Sequence, residues 1–142
     1  MISLSAWAMR GQDGVPLDKR RAIHDSATQW CDALACGDMI FTGGISTVNA
    51  DGTVDADGDH IAQTKKVMQK IDTLMRELGG QLQHVHKTNS FYVLSTVEEF
   101  NSNLQVRSDC FEKPGPGSVG LPLDRLTHPG QRIEVEAMLV KT

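Results

Sequence analysis

Between residues 61 and 78 the side chains Ile61, Thr64, Val67, Met68, Ile71, Leu74, Met75 and Leu78 recur at intervals of three and four, and Gly79-Gly80 follows directly. That spacing puts all eight on one stripe of an α-helix, and the glycine pair supplies its stop. Asp57 and Asp59 stand just before the first turn, where negative charge suits the positive end of the helix dipole. A helix of this length with one apolar stripe has to bury that stripe against another element. The rest of the chain decides which.

Most of the remainder alternates like strand. ALACGDMIFTGGIS, Ala33 to Ser46, is interrupted at Gly37-Asp38 and reads as two strands joined by a tight turn. NADGTVDADGD, Asn49 to Asp59, is turn chemistry throughout. LQHVHKTNSFYVL, Leu82 to Leu94, is rich in Val, Phe, Tyr and Thr and long enough for a central strand. Ser95-Thr96-Val97-Glu98 matches a capping box with Ser95 at the N-cap, opening a second helix to about Phe111 with Val97, Phe100, Leu104, Cys110 and Phe111 as its apolar members. KPGPGS, Lys113 to Ser118, cannot be helical. A short strand over Ser118 to Leu121, a turn at LTHPGQ and a last strand in RIEVEAMLVKT complete the chain. Residues 1–9 alternate weakly as an edge strand, and Gly11 to Arg21 is a polar loop, so that residues 1–23 form a preface to one domain over 24–142. The order of elements predicts an α+β sandwich, two helices on one face of a mixed or mostly antiparallel sheet.

At 142 residues the chain has room for one hydrophobic core. A net charge of −4, with no basic cluster longer than Lys19-Arg20-Arg21, gives no electrostatic footprint for nucleic acid. The opening MISLSAWAM lacks the charged n-region of a signal peptide and is too short to span a membrane, so a soluble, cytoplasmic protein is expected. Three cysteines, Cys31, Cys36 and Cys110, are expected to be reduced thiols.

The last strand raises the functional question. Ile133, Val135, Ala137 and Leu139 fall on one face and Glu134, Glu136, Met138 and Val140 on the other, so two acids sit among apolar neighbours although burying an unpaired carboxylate is costly. Structurally, both could pair with basic residues such as Lys87 or Arg132 on adjacent strands. GDMIFTGGI (Gly37 to Ile45), the Asp-Gly turn, Gln63-Thr64 opening a helix that ends LGG, VHKTNSFYV (Val85 to Val93), Glu98 to Phe100, the proline-rich link and IEVEA (Ile133 to Ala137) come in an order and spacing that resemble the reactive intermediate deaminase family from about residue 24 onward. The resemblance implies a chorismate-mutase-like sandwich that assembles as a homotrimer with pockets at the subunit interfaces, needs no cofactor, and hydrolyses reactive enamines and imines to a carbonyl compound and ammonia. It also implies that Glu134 positions or activates the attacking water. Such chemistry needs mainly a placed water and a proton acceptor. Glu136, roughly 6.5 to 7 Å along the strand, is too far to share a proton with it.

Other family positions depart from the pattern. The arginine that clamps a substrate carboxylate in amino-acid-type members corresponds to Ser118, the pocket cysteine to Gly120 and the pocket asparagine to Leu104, beside Asn103. Where that family reads Ser-Gly-Gln this chain reads Thr42-Gly43-Gly44, with Gly44 bordering the pocket, and the N-terminal aromatic wall falls at Trp30. The resemblance thus implies an enamine or imine hydrolase with Glu134 as the catalytic residue, Trp30, Gly44, Leu104, Ser118 and Gly120 lining the pocket, and a substrate other than a small 2-imino acid. The alternative is a non-catalytic trimeric ligand-binding or interaction module of the same fold. RNA cleavage is disfavoured by the acidic chain and the lack of a matched catalytic His pair. His84 and His86 share a strand face but have no evident third ligand, so no metal is expected. TVDADG, Thr53 to Gly58, lacks the first-position Asp of a calcium loop and has Thr64 where the bidentate Glu belongs, and Cys110 has no basic partner in prospect and reads as core.

Overall fold

A computed structural model describes residues 21–23 and 30–141; the edge strand expected over residues 1–9 and all but Arg21 of the polar loop lie outside the described residues. Strand β1 is Arg21–Ile23, β2 Ala33–Cys36, β3 Met39–Thr42, β4 Val85–Tyr92, β5 Gly117–Pro122 and β6 Ile133–Val140; the helices are α1, His60–Glu77, and α2, Val97–Ser108. They form one six-stranded sheet in the order β1-β2-β3-β6-β4-β5. Only β4 and β5 run parallel; the other pairs are antiparallel, so the sheet is mixed.

The long stripe is the keystone of the core. Val67, Met68, Ile71, Met75 and Leu78 pack with Ala33, Ala35, Ile40, Val135, Ala137 and Leu139 in one buried cluster. Asp59 caps α1, its carboxylate accepting from the Ile61 and Ala62 amides at 3.0 and 2.9 Å. At the other end Gly79, at φ +84°, donates to the Arg76 carbonyl and Gly80 to that of Met75, the double bond of a Schellman stop. The left-handed conformation there favours glycine.

Four local expectations shift. Arg21, expected to end the loop, instead opens a strand with Ala22 and Ile23, whose backbone pairs with Ala33 to Ala35. Leu82–His84 is a 3₁₀ turn, so β4 begins only at Val85 and His84 does not share a strand face with His86. The cap of α2 is Thr96, not Ser95: its hydroxyl accepts from the Glu99 amide at 3.1 Å, while the Glu99 carboxylate accepts from the Ser95 amide at 2.6 Å and from Arg132 at 3.0 Å. Those hydrogen bonds hold the Glu99 carboxyl below its usual pKa, the Ser95 amide first and Arg132 after it.

The largest shift is the face α2 turns inward. Val97 is 68 % and Leu104 40 % exposed, whereas Asn103 and Arg107 are buried. The packed stripe is Phe100, Asn103, Arg107 and Cys110, one residue round from the apolar reading, because these positions make specific bonds. Phe100 stacks on Tyr92 at 5.5 Å, Asn103 donates to the Thr64 hydroxyl at 2.6 Å, and Arg107 donates to Asn103 Oδ1 and Ser90 Oγ at 3.0 and 2.7 Å. Both helices therefore cover the same side of the sheet. The opposite face carries no element of this chain among the described residues.

Candidate functional site

Alternation along β6 settles which way its acids point. Ile133, Val135, Ala137 and Leu139 are buried beneath the helices, and Glu134 and Glu136 project, half-buried, from the uncovered face. Neither pairs with Arg132, which instead binds Glu99 and the Val93 carbonyl. Among the described residues their hydrogen-bond donors are neutral amides. Gln131 Nε2 donates to Glu134 Oε2 at 3.1 Å, and Asn89 Nδ2 donates to Glu136 Oε1.

Three neighbours fix Glu134. Gln131 is 3 % exposed, and its own carbonyl accepts from the His128 amide at 3.3 Å, which orients the amide that meets the acid. Phe91 lies directly across on β4, with Leu121 beyond it on β5, so the sheet beside the carboxylate is apolar. On the other side is Gly44. A Cβ there would collide with Glu134 Oε1 and come within 2.7 Å of its Cδ, so the carboxylate occupies the space that any other residue at 44 would need. Gly44→Ala is therefore expected to displace the acid and lower any activity that depends on it about 10²-fold, as misplacement by an ångström does, while the protein remains folded; steady-state rates alongside circular dichroism check it.

Register separates the remaining candidates from this cluster. Ser118 pairs with Thr88 and Gly120 with Ser90, and both β4 partners are buried under α2. Ser118 and Gly120 thus lie on the helix side of β5, two strands from β6, roughly 10 Å laterally and through the sheet from Glu134. Leu104 is on the outer side of α2, and Trp30, just ahead of β2, is 83 % exposed. Of the five expected lining residues, Gly44 packs directly against Glu134 within one protomer. Gln131 and Asn89 went unnoticed in the sequence; the one available signal was that an acid on a half-buried face needs a polar partner from an adjacent turn or strand.

A cleft of about 540 Å³ runs along the other side of Gly44, between Ser46 and the Lys66–Leu74 segment of α1. Its lysines are already engaged, Lys66 with Asp55 at 3.1 Å and Lys70 with the Ser46 carbonyl at 2.8 Å. Among the described residues no group of three His, Cys, Asp or Glu side chains could hold a metal. Nor is any helix there long and apolar enough to cross a membrane.

The family model described as Endoribonuclease L-PSP matches residues 20–141. The chain belongs to this family. A RutC family protein of Pyrococcus abyssi is 28 % identical over 112 residues, 79 % of this chain and 86 % of that one. The fold is that of solved family members: RidA from a Psychrobacter species superposes with a TM-score of 0.69 at 19 % identity over 82 % of this chain and 91 % of its own. A YjgF/YER057c/UK114 family member from Mycobacterium tuberculosis does so with 0.71 at 19 % over 86 % and 99 %, and a YjgF family protein from Neisseria meningitidis with 0.72 at 19 % over 87 % and 96 %. The matched segment of the family model begins one residue before β1, so that strand lies inside it.

Proposed function

We propose that the chain is a cofactor-free enamine or imine hydrolase that works as a homotrimer, with Glu134 as the group that accepts a proton from the attacking water. One observation carries this reading. Glu134 is held by a neutral amide donor against a glycine that leaves it room, on a sheet face with an apolar flank and, among the described residues, no cationic partner in its hydrogen bonds. A carboxylate kept for stability alone is better served by a cation or by backbone amides.

The chemistry is short. Protonation of an enamine at carbon gives an iminium whose carbon is already electrophilic. Water adds to it as Glu134 takes one of the water's protons, and the resulting carbinolamine collapses when Glu134 returns that proton to nitrogen, expelling ammonia while the hydroxyl proton passes to solvent, offsetting the one taken up at carbon and leaving a carbonyl compound. Gln131 donating to Oε2 leaves Oε1 for the water.

The split between Glu134 and the pair Ser118 and Gly120 is the reason for the trimer. A pocket using both faces of the sheet is completed when the uncovered face of one copy meets the β5 edge of the next. Val119 and Leu121 on that edge, 43 % and 36 % exposed, supply apolar surface for such a contact. The serine and glycine leave room for a substrate other than a small 2-imino acid. RNA is a poor fit to a chain of net charge −4.

Ammonia release from a panel of enamines and imines generated in situ, with and without carboxylate groups, tests the reaction, and sedimentation tests the assembly. Acceleration over the spontaneous rate by a sedimenting trimer is expected. A folded trimer that accelerates no member would make the protein a ligand-binding module, and a monomer at micromolar concentration would remove the shared pocket.

A further inference from the structure

Arg107 is the anomaly of the interior. It is 7 % exposed, its Nε donates to Asn103 Oδ1 and its Nη1 to Ser90 Oγ, and both acceptors are neutral. The other arginines with charged partners, Arg76 with Asp72 and Arg132 with Glu99, sit in ion pairs. Among the described residues no carboxylate pairs with Arg107. A guanidinium stays charged in proteins, and a charge withdrawn from water is normally neutralised by a partner of opposite sign. Burial depresses its pKa, with the Tyr92 phenol acting in the opposite sense.

The surroundings of Arg107 are rich in hydrogen-bond donors. Ser90, which it touches, is directly across from Gly120 on β5. Tyr92 lies along the same face, its hydroxyl 3.2 Å from where a Cβ on Gly120 would stand and without a hydrogen-bond partner among the described residues. Ser118 Oγ accepts from Thr88 at 3.1 Å and keeps its own proton to donate. Strand β5 is exposed along its whole length, so this seam opens to the outside on the β5 side while Arg107 closes it on the α2 side.

We propose that Arg107 is an anion-binding residue: its guanidinium, with the hydroxyls of Tyr92 and Ser118, receives a carboxylate or comparable oxyanion of the ligand at the seam between β4 and β5. The proposal names the ligand class of the interface pocket above and rests on that reading for its link to Glu134; anion binding itself is measured without turnover.

The test is a titration of the full chain, followed by amide NMR at Ser90 and Gly120, with monocarboxylates of increasing length, their neutral amides and inorganic phosphate. Saturable shifts with the carboxylates and none with the amides are expected. Saturation by phosphate alone would make the site one for inorganic anions and overturn the carboxylate ligand. In Arg107→Gln the carboxylate Kd should rise at least tenfold, about 1.4 kcal/mol, and in Arg107→Lys, which keeps the charge, by less. Ser118→Glu changes an exposed position and places a carboxylate at the seam. It should raise Tm through an internal partner for Arg107 and abolish the anion-dependent rise in Tm, a readout that stands even where Arg107→Gln fails to fold. Equal affinity in Arg107→Gln, or no saturable shift with any anion, would overturn the proposal. So would loss of the trimer in Arg107→Gln with carboxylate affinity intact, which would assign the missing counter-charge to a neighbouring copy. Turnover that fails while carboxylates bind through Arg107 removes the hydrolase reading alone; turnover that proceeds with anion binding indifferent to Arg107 removes this one alone.

Discussion

Glu134→Gln should abolish most of the acceleration of imine hydrolysis, by about 10²- to 10⁴-fold in kcat, the range for loss of a positioned acid–base group, with KM and assembly little changed. The substitution is close to isosteric, so the space beside Gly44 stays filled as before. The new amide keeps a carbonyl oxygen, which can go on accepting from Gln131 Nε2. What is lost is the ability to take a proton from water and return it to nitrogen. Glu136→Gln is the matched control on the same face: it sits two residues along and is tied to Asn89, so its turnover should stay near that of the unsubstituted protein. Ammonia release by the three proteins decides the assignment. Full activity in Glu134→Gln would remove the proton-acceptor role, and a collapse confined to Glu136→Gln would move it to the second acid.

A gentler perturbation separates position from chemistry. Gln131→Leu removes the donor to Glu134 Oε2 and leaves the carboxylate in place. The expected loss in kcat is about tenfold, the order of one hydrogen bond to a charged group. A rate unchanged from the parent would mean that Gln131 only packs.

What the sequence made legible was whatever depends on local periodicity. The α1 stripe, the hairpin over Ala33 to Thr42 and the alternation of β6 are all readable because the same spacing that shapes the element selects its buried side. The α2 stripe was misread for the opposite reason. Asn103 and Arg107 are buried by virtue of partners 39 and 17 residues away, Thr64 and Ser90, and no window along the chain contains both ends of those bonds. The capping box read at Ser95 and Glu98 lies one residue early: Thr96 caps α2 with Glu99 as the acid, and Arg132, just ahead of β6, also holds Glu99, a tertiary bond that accompanies the Thr96 frame. At the site, Glu134 and Gly44 were within reach of a motif, whereas the faces of Ser118 and Gly120 followed from the parallel register of β5 on β4, which sequence does not state.

Gln63→Leu should be costly although it keeps the side-chain volume. It is fully buried at the start of α1, and its side chain makes three bonds to backbone: Nε2 donates to the carbonyls of Ala56 and Gly130 at 3.0 and 2.7 Å, and Oε1 accepts from the Arg132 amide at 2.7 Å. One amide thereby locks the turn before α1, the turn before β6 and the first step into β6 together. In Gln63→Leu the volume is kept and every bond is lost. The two carbonyls retain other donors, Asp59 and Gly58, but the Arg132 N–H loses its acceptor. An unsatisfied buried donor costs about 1 to 3 kcal/mol and each weakened carbonyl less, so a total near 3 kcal/mol is expected, a fall in Tm of about 10 °C for a domain of this size. Gln69→Leu, an exposed change on the same helix, should stay within about 0.5 kcal/mol. Calorimetry on both would expose a wrong assignment, since a Tm for Gln63→Leu within 2 °C or so of the Gln69 variant would mean that these bonds are replaced by water at little cost. The consequence extends to function. Arg132 is two residues from Glu134 and Gln131 three, so freeing the start of β6 loosens both the proton acceptor and the amide that aims it, and amide exchange at 131–134 should quicken along with the loss of rate.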